Sequence, residues 1–338
     1  MITRLLGSDE IDYAARLIRD GEPVGMPTET VYGLACDAYN ADAVRKVFAA
    51  KGRPADNPLI VHIADYSEWE PLVTGIPPLA QKLAEKFWPG PLTMILPRTD
   101  RIPAVTAGGL DSVGVRFPAH PLAQALIRAA GVPLAAPSGN RSGSPSPTKA
   151  QHMLDDMDGR IPAIINGGDC LCGVESTVIS FDDAETVRVL RPGFVTPEQL
   201  QTVAPRVIVD NAVLSQLKPD TVVRSPGMKY KHYAPKAAVT LVNGDAAHFL
   251  SYIGNCSGDG VFALVFNADM PACRHLHLHA VPYGDTDEER AQAFFARLRE
   301  LDEAGAKHIY VRAPRTDGVG LAVYNRLIRA AGYDVVTL

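Results

Sequence analysis

Lys51-Gly-Arg-Pro-Ala-Asp-Asn-Pro-Leu-Ile-Val-His62 sets two cations one residue apart between a glycine and two prolines, then enters an apolar run that ends in histidine. Ala41–Ala50, just before it, has helical spacing, and Leu59–Ile63 has the length and branched side chains of a strand. The stretch therefore reads as a helix–turn–strand joint of an α/β fold. Glycine frees the backbone, while Pro54 and Pro58 stiffen it, so Lys51 and Arg53 are held in place. A fixed Lys/Arg pair suits a polyphosphate, with arginine offering a planar donor fork and lysine a compact charge. Standing alone, the same residues would read as a basic surface turn.

Outward from this joint, strand-like and helix-like segments continue to mix. Asp9–Asp20, Leu79–Phe87 and Pro121–Ala130 read as helices, and Pro23–Met26, Leu92–Pro97, Ser112–Phe117 and Val132–Ala136 as strands. Many are bounded by proline, which predicts a twisted mixed α/β sheet rather than a regular doubly wound one. From about Pro205 to Pro235 the sequence turns polar and ends in Ser225-Pro-Gly-Met-Lys-Tyr-Lys-His-Tyr-Ala-Pro235. Beyond it, Ala238–Val242, Val261–Phe266, His308–Arg312 and Val335–Leu338 read as short buried strands, with a helix over Asp287–Ala304. The expected organisation is an N-terminal domain over 1–204, an ordered linker or lid over 205–237, and a smaller Rossmann-like α/β domain over 238–338. Gly318-Val-Gly320 lacks the third glycine of a dinucleotide fingerprint. His275, His277 and His279 alternate, which predicts one face of a strand.

Composition removes several classes. Of 338 residues, 46% are apolar and 21% charged, which is ordinary globular usage, and the net charge is −5. The first 200 residues carry 18 Lys+Arg against 24 Asp+Glu, so this is no nucleic-acid-coating surface. Five cysteines without paired CxxC spacing argue against a disulfide framework or a structural zinc, so no metal site is expected in the protein itself. No apolar run reaches membrane-spanning length and no signal peptide is visible, so a cytoplasmic protein with no membrane contact is expected.

Four further passages carry polar chemistry. Pro27-Thr-Glu-Thr-Val-Tyr-Gly-Leu34 offers two hydroxyls and a carboxylate beside a turn. Ser112-Val-Gly-Val-Arg116 puts a hydroxyl and a guanidinium on one strand face. Ala136-Pro-Ser-Gly-Asn-Arg-Ser-Gly-Ser-Pro-Ser146 is a hydroxyl-rich loop whose backbone N–H groups can approach phosphate. Gly173-Val-Glu-Ser-Thr-Val178 and Arg191-Pro-Gly193 complete the set. No GxxxxGK[ST] loop, HExxH, GxSxG or kinase signature occurs, so any ATP must sit in a cradle of dispersed residues.

Together these motifs resemble the threonylcarbamoyl-AMP synthase family (YrdC/TsaC-like proteins) in its long, two-domain form. The resemblance covers the first domain and linker densely, and the last part by order and fold type. It implies a nucleotidyltransferase that joins L-threonine, bicarbonate and Mg2+-bound ATP into threonylcarbamoyl-AMP, for delivery to tRNA threonylcarbamoyl-transferase proteins. It implies threonine contacts at Thr30, His62, Arg116, the backbone at Ala136, and Ser176. ATP contacts are implied at Arg53, Asn57, Ser112, Ser138, Asn140, Ser146 and Arg191, with His232 and Tyr233 of the linker closing over it. Lys51 and Arg53 are the expected catalytic cations. Relatives often have threonine where this chain has Ser112, which preserves the hydroxyl. The competing reading is an RNA-binding or ribosome-assembly module that uses the same basic pocket.

Overall fold

The computed structural model describes residues 2–54, 56–215, 233–256 and 258–338. The chain divides into two compact units, Met1–Ser142 with Ser146–Lys229, and Gly143–Pro145 with Tyr230–Leu338.

The first unit contains β1 (Arg4–Leu6), α1 (Ile11–Arg19), β2 (Val24–Met26), β3 (Gly33–Asp37), α2 (Ala41–Lys51), β4 (Ile60–His62) and α3 (Pro78–Phe87). It continues with β5 (Leu92–Pro97), β6 (Ser112–Arg116), α4 (Pro121–Ala130), β7 (Leu134–Ala135), α5 (Ala150–Met157) and β8 (Ala163–Ile165). β9 (Thr177–Phe181), β10 (Thr186–Arg191), α6 (Pro197–Leu200) and β11 (Arg206–Val209) complete it. The strands form one mixed sheet in the order β1-β8-β2-β3-β7-β4-β6-β5-β9-β10-β11.

Local signals set the helix ends beside the site. Asn40 Oδ1 caps α2 by accepting from the Asp42 and Ala43 N–H groups at 3.0 and 3.1 Å. Gly52 stops the helix with φ +63°, a left-handed conformation that most residues avoid. Lys51 is thus the last helical residue, and Arg53 stands just past the stop.

Alternation along the strands gives the sheet two different faces. Val61, Leu92, Met94, Val113, Val115 and Ile179 point into the large core shared with α2 and α3. On the opposite face Ile60, Ile95, Val178 and Leu190 form a separate small apolar floor. Polar residues stand on that second face.

The second unit contains β12 (Ala238–Asn243), α7 (Ala246–Gly254), β13 (Val261–Val265), α8 (Met270–Cys273), β14 (His279–Pro282), α9 (Asp287–Glu303), β15 (His308–Arg312), α10 (Gly320–Ala330) and β16 (Val335–Thr337). Its strands are all parallel, in the order β14-β13-β15-β12-β16. A parallel sheet with helical connections is the expected Rossmann-like arrangement.

Two expectations are corrected. Arg206–Val209, placed at the head of the polar connector, is a strand in register with β10, and Val207 and Val209 pack on the large core. The histidine row is not a strand face either. β14 begins only at His279, while His275 and His277 lie in the turn after α8, and Leu276 and Leu278 reach the core from that turn. The rest of the expected connector, residues 216–232, lies outside the described residues.

Candidate active site

One line of paired residues crosses six strands. Leu134 on β7 is opposite His62 on β4, and His62 is paired with Arg116 on β6. Arg116 is paired with Thr93 on β5, Thr93 with Val178 on β9, and Val178 with Arg191 on β10. Directly paired residues share a sheet face, so backbone register alone gathers His62, Arg116, Thr93 and Arg191. Arg191 joins the row through a register shift between Val189 and Arg191. Without that extra residue, regular alternation would turn Arg191 toward the helix-covered side.

Arg116 is the centre of the row and is 4% exposed. Its Nη2 lies 2.7 Å from Glu29 Oε1, its Nη1 donates to Thr30 Oγ1 at 3.0 Å, and its Nε donates to the Gly90 carbonyl at 3.3 Å. Glu29 and Thr30 come from the turn between the antiparallel strands β2 and β3. The Thr28 hydroxyl organises that turn by accepting from the N–H groups of Thr30 and Val31.

Burial and, secondarily, the Arg116 charge push the His62 imidazole down to about 3, so it is neutral at physiological pH. Its Nδ1 lies 3.3 Å from the Leu134 carbonyl oxygen. A neutral ring can hydrogen-bond a hydroxyl without repelling Arg116.

Beside Arg116, Ser176 Oγ lies 2.8 Å from Thr93 Oγ1. Arg191 donates to the Ser176 carbonyl at 3.1 Å and to its hydroxyl at 3.2 Å. Gly193 lets the two motifs meet: a Cβ there would lie 2.3 Å from the Thr177 nitrogen and 2.7 Å from the Glu175 oxygen. Ser146 donates to Glu175 Oε1 at 2.6 Å, which ties the hydroxyl-rich loop to the same segment.

Lys51 is only 3% exposed, and its ammonium donates to the Ser138 carbonyl and, at 2.6 Å, to the Asn140 carbonyl. Burial, reinforced by Arg53, pushes its pKa well below the ordinary lysine value. Lys51 thus shapes the loop over residues 138–140. Arg53 Nη2 donates to the Asn57 and Pro58 carbonyls, both at 3.3 Å. Asn57 is buried, and its Oδ1 accepts no hydrogen bond from the described residues.

Ser112 stands on the same face as Arg116, over a narrow hollow floored by Ile60, Ile95 and Val178. The Ala136 N–H donates to the Ile60 carbonyl at 2.9 Å. Tyr233 packs in the second unit, its ring centroid 5.3 Å from that of Phe295 and the Arg326 guanidinium 5.9 Å away. His232 lies outside the described residues. Sequence reasoning gave no role to three members of this constellation: Glu29, noted only as the carboxylate of its motif, Thr93 and Glu175. Glu29 and Glu175 are the only acids inside the motifs Pro27–Leu34 and Gly173–Val178, and that was the available signal. Thr93 is a single hydroxyl in an apolar strand.

A family model described as telomere recombination matches residues 16–193, and one described as threonylcarbamoyl-AMP synthase, C-terminal domain, matches 195–332. The threonylcarbamoyl-AMP synthase of Pyrococcus abyssi is 43% identical over 332 residues, covering 97% of this chain and 95% of the relative. That of Bacillus subtilis is 45% identical over 335 residues, covering 97% and 94%. Among solved structures, Pyrococcus abyssi Sua5 complexed with L-threonine superposes with a TM-score of 0.90 at 39% identity, covering 100% of both chains.

Proposed function

The chain belongs to the threonylcarbamoyl-AMP synthase family, and on that premise we propose that it joins L-threonine, bicarbonate and ATP into threonylcarbamoyl-AMP and pyrophosphate. The observation that carries this reading is the row through His62, Arg116 and Thr93, which puts one buried guanidinium among hydroxyls and a neutral imidazole. That is a site for a small zwitterion with a hydroxyl, and the L-threonine complex of the Pyrococcus relative agrees with it.

In the proposed reaction Arg116 binds the threonine carboxylate, Thr30, the backbone at Ala136 and Ser176 surround the amino acid, and His62 takes the hydroxyl. The threonine ammonium first gives up a proton to solvent; the amine nitrogen then bonds to the carbon of bicarbonate, and water leaves, giving a carbamate. A carbamate oxygen then attacks the α-phosphorus of ATP, and the bond to the β-phosphate oxygen breaks to release pyrophosphate. Arg53, Asn57, Ser112, Ser138, Asn140, Ser146 and Arg191 are proposed to cradle the nucleotide. Positioning and charge stabilisation suffice, because no covalent enzyme intermediate is required.

Among the described residues no group of three or more His, Cys, Asp or Glu side chains could hold a metal ion. Mg2+ is proposed to enter as the counter-ion of the ATP phosphates, as this ion's preference for phosphate and water suggests. Lys51, Arg116 and Arg191 are 3%, 4% and 6% exposed, too enclosed to track an RNA backbone, which disfavours the RNA-binding alternative. The proposed setting is the cytoplasm, with the product passing to the proteins that modify tRNA. Among the described residues no helix is long and apolar enough to cross a membrane.

The test is mass spectrometry of products from the purified protein. Threonylcarbamoyl-AMP and pyrophosphate should form only when L-threonine, bicarbonate and Mg-ATP are all present. Pyrophosphate release that ignores threonine or bicarbonate would overturn the reading.

A further inference from the structure

We infer that the second unit carries a binding site of its own, for a phosphorylated sugar (free or within a nucleotide), at the carboxyl edge of its parallel sheet. The topology selects the place. With right-handed crossovers, α7 and α8 step one way across the sheet, whereas α9 and α10 step back the other way. The chain therefore leaves the neighbouring strands β13 and β15 in opposite directions, and a crevice opens between their carboxyl ends. A cleft of about 610 Å3 lies there, lined by Phe266 after β13, Arg312 and Arg315 at and after β15, Asn243 at the end of β12, and Asp285 and Arg290 around the start of α9. Its volume is that of a small-molecule site.

The lining chemistry points to phosphate. Arg290 is 8% exposed; its Nη1 donates to Asp287 and its Nη2 to the Asp285 carbonyl, both at 2.7 Å, while its Nε has no partner among the described residues. Arg312 is ion-paired with buried Asp269, and its Nε likewise has no partner among the described residues. Both guanidinium carbons lie over the Phe266 ring, 3.7 and 4.3 Å from its centroid. Two cations held against one ring, each with a buried Nε that has no partner among the described residues, cost more than packing alone requires. Arg315 stands at the rim, paired with Asp317 on the surface, a contact weak enough to exchange for a ligand. Asp287, Glu288 and Glu289 fill the first turn of α9, so the arginines, not the helix terminus, must hold the anion. Exposed Asp285 and half-buried Asn243 can take sugar hydroxyls.

Isothermal titration of the full-length protein with ribose 5-phosphate, AMP and ribose tests this, using wild type, Arg315→Ala and Arg312→Lys. Arg315 is exposed, so its removal leaves folding intact, which thermal denaturation verifies. Ribose 5-phosphate should bind, ribose should not, and each substitution should weaken binding at least about tenfold, as loss of a charged hydrogen bond does. AMP binding that falls in parallel assigns a nucleotide; a fall confined to ribose 5-phosphate assigns the free sugar phosphate. Absence of binding, or binding indifferent to both substitutions, would overturn the site.

Discussion

The first unit stands its polar groups on the face of a sheet, and the second collects them at the end of one. On a face, the pleat and the strand register fix each side chain relative to its neighbours. His62, Arg116 and Thr93 are adjacent because β4, β6 and β5 are hydrogen-bonded in one particular register. At an edge, position comes mainly from the loops that leave each strand: Arg312 closes the ladder as the last residue of β15, opposite Val242, and Arg315 lies beyond it. A face site should therefore be unforgiving of substitution, whereas an edge site should be adjustable. The first suits a reaction that needs geometry; the second suits binding.

The sharpest way to break this comparison is Arg116→Ala. Removing one member of the buried Arg116–Glu29 pair should cost about 3–5 kcal/mol. Calorimetry should show L-threonine affinity reduced well beyond tenfold; unchanged affinity would remove Arg116 from the site. Next comes Glu29→Gln, which leaves the Arg116 charge uncompensated and should lower the stability of the free protein by about 2 kcal/mol. Saturating L-threonine should restore much of that loss, since its carboxylate can take over the compensation. Equal destabilisation with and without threonine, measured by thermal unfolding, would show that Glu29 is only structural.

Thr93→Val should do less. It keeps the shape and removes the hydrogen bond to Ser176, worth about 1 kcal/mol, so KM for threonine should rise severalfold while kcat changes little. The smallest effect at neutral pH belongs to His62. Its folded value of about 3 lies below the ordinary 6.5, so between these values the unfolded chain binds a proton that the folded chain does not. Stability must then rise with pH across that window and level off above it. His62→Gln should flatten the rise, as urea unfolding at pH about 4 to 7 would reveal. Parallel pH profiles for the two proteins would show that His62 is not buried as neutral imidazole.

The two regions also differ in how openly the sequence declares them. The expected helix over Ala41–Ala50 became α2 almost to the residue, because the Asn40 cap and the Gly52 stop are local signals. Pro121 and Gly131 bound α4 in the same way. In the site, Lys51 and Arg53 were visible as a contiguous motif, yet nothing local revealed that Lys51 spends its ammonium on two loop carbonyls. Glu29, Thr93 and Glu175 acquire meaning only from partners on distant strands, and pairing register is a property of the assembled sheet. The cleft of the second unit is harder still, since Asn243, Phe266, Asp285 and Arg312 are single residues at or just after the ends of separate strands. The histidine row misled because alternation survives in a turn where Leu276 and Leu278 supply the buried side chains.

The row from Leu134 to Arg191 has a consequence for synthesis of the chain on the ribosome. Its members enter in the order His62, Thr93, Arg116, Leu134, Val178, Arg191, but in space Arg116 lies between the first two. β6 must insert between β4 and β5 after both have been made, and Arg191 arrives last. A nascent chain therefore cannot set His62, Arg116 and Thr93 side by side until β6 has been made, and the pocket lacks Ser176 and Arg191 until some sixty to seventy-five residues later still. Only the chain that has been made through β10 can offer threonine the whole set.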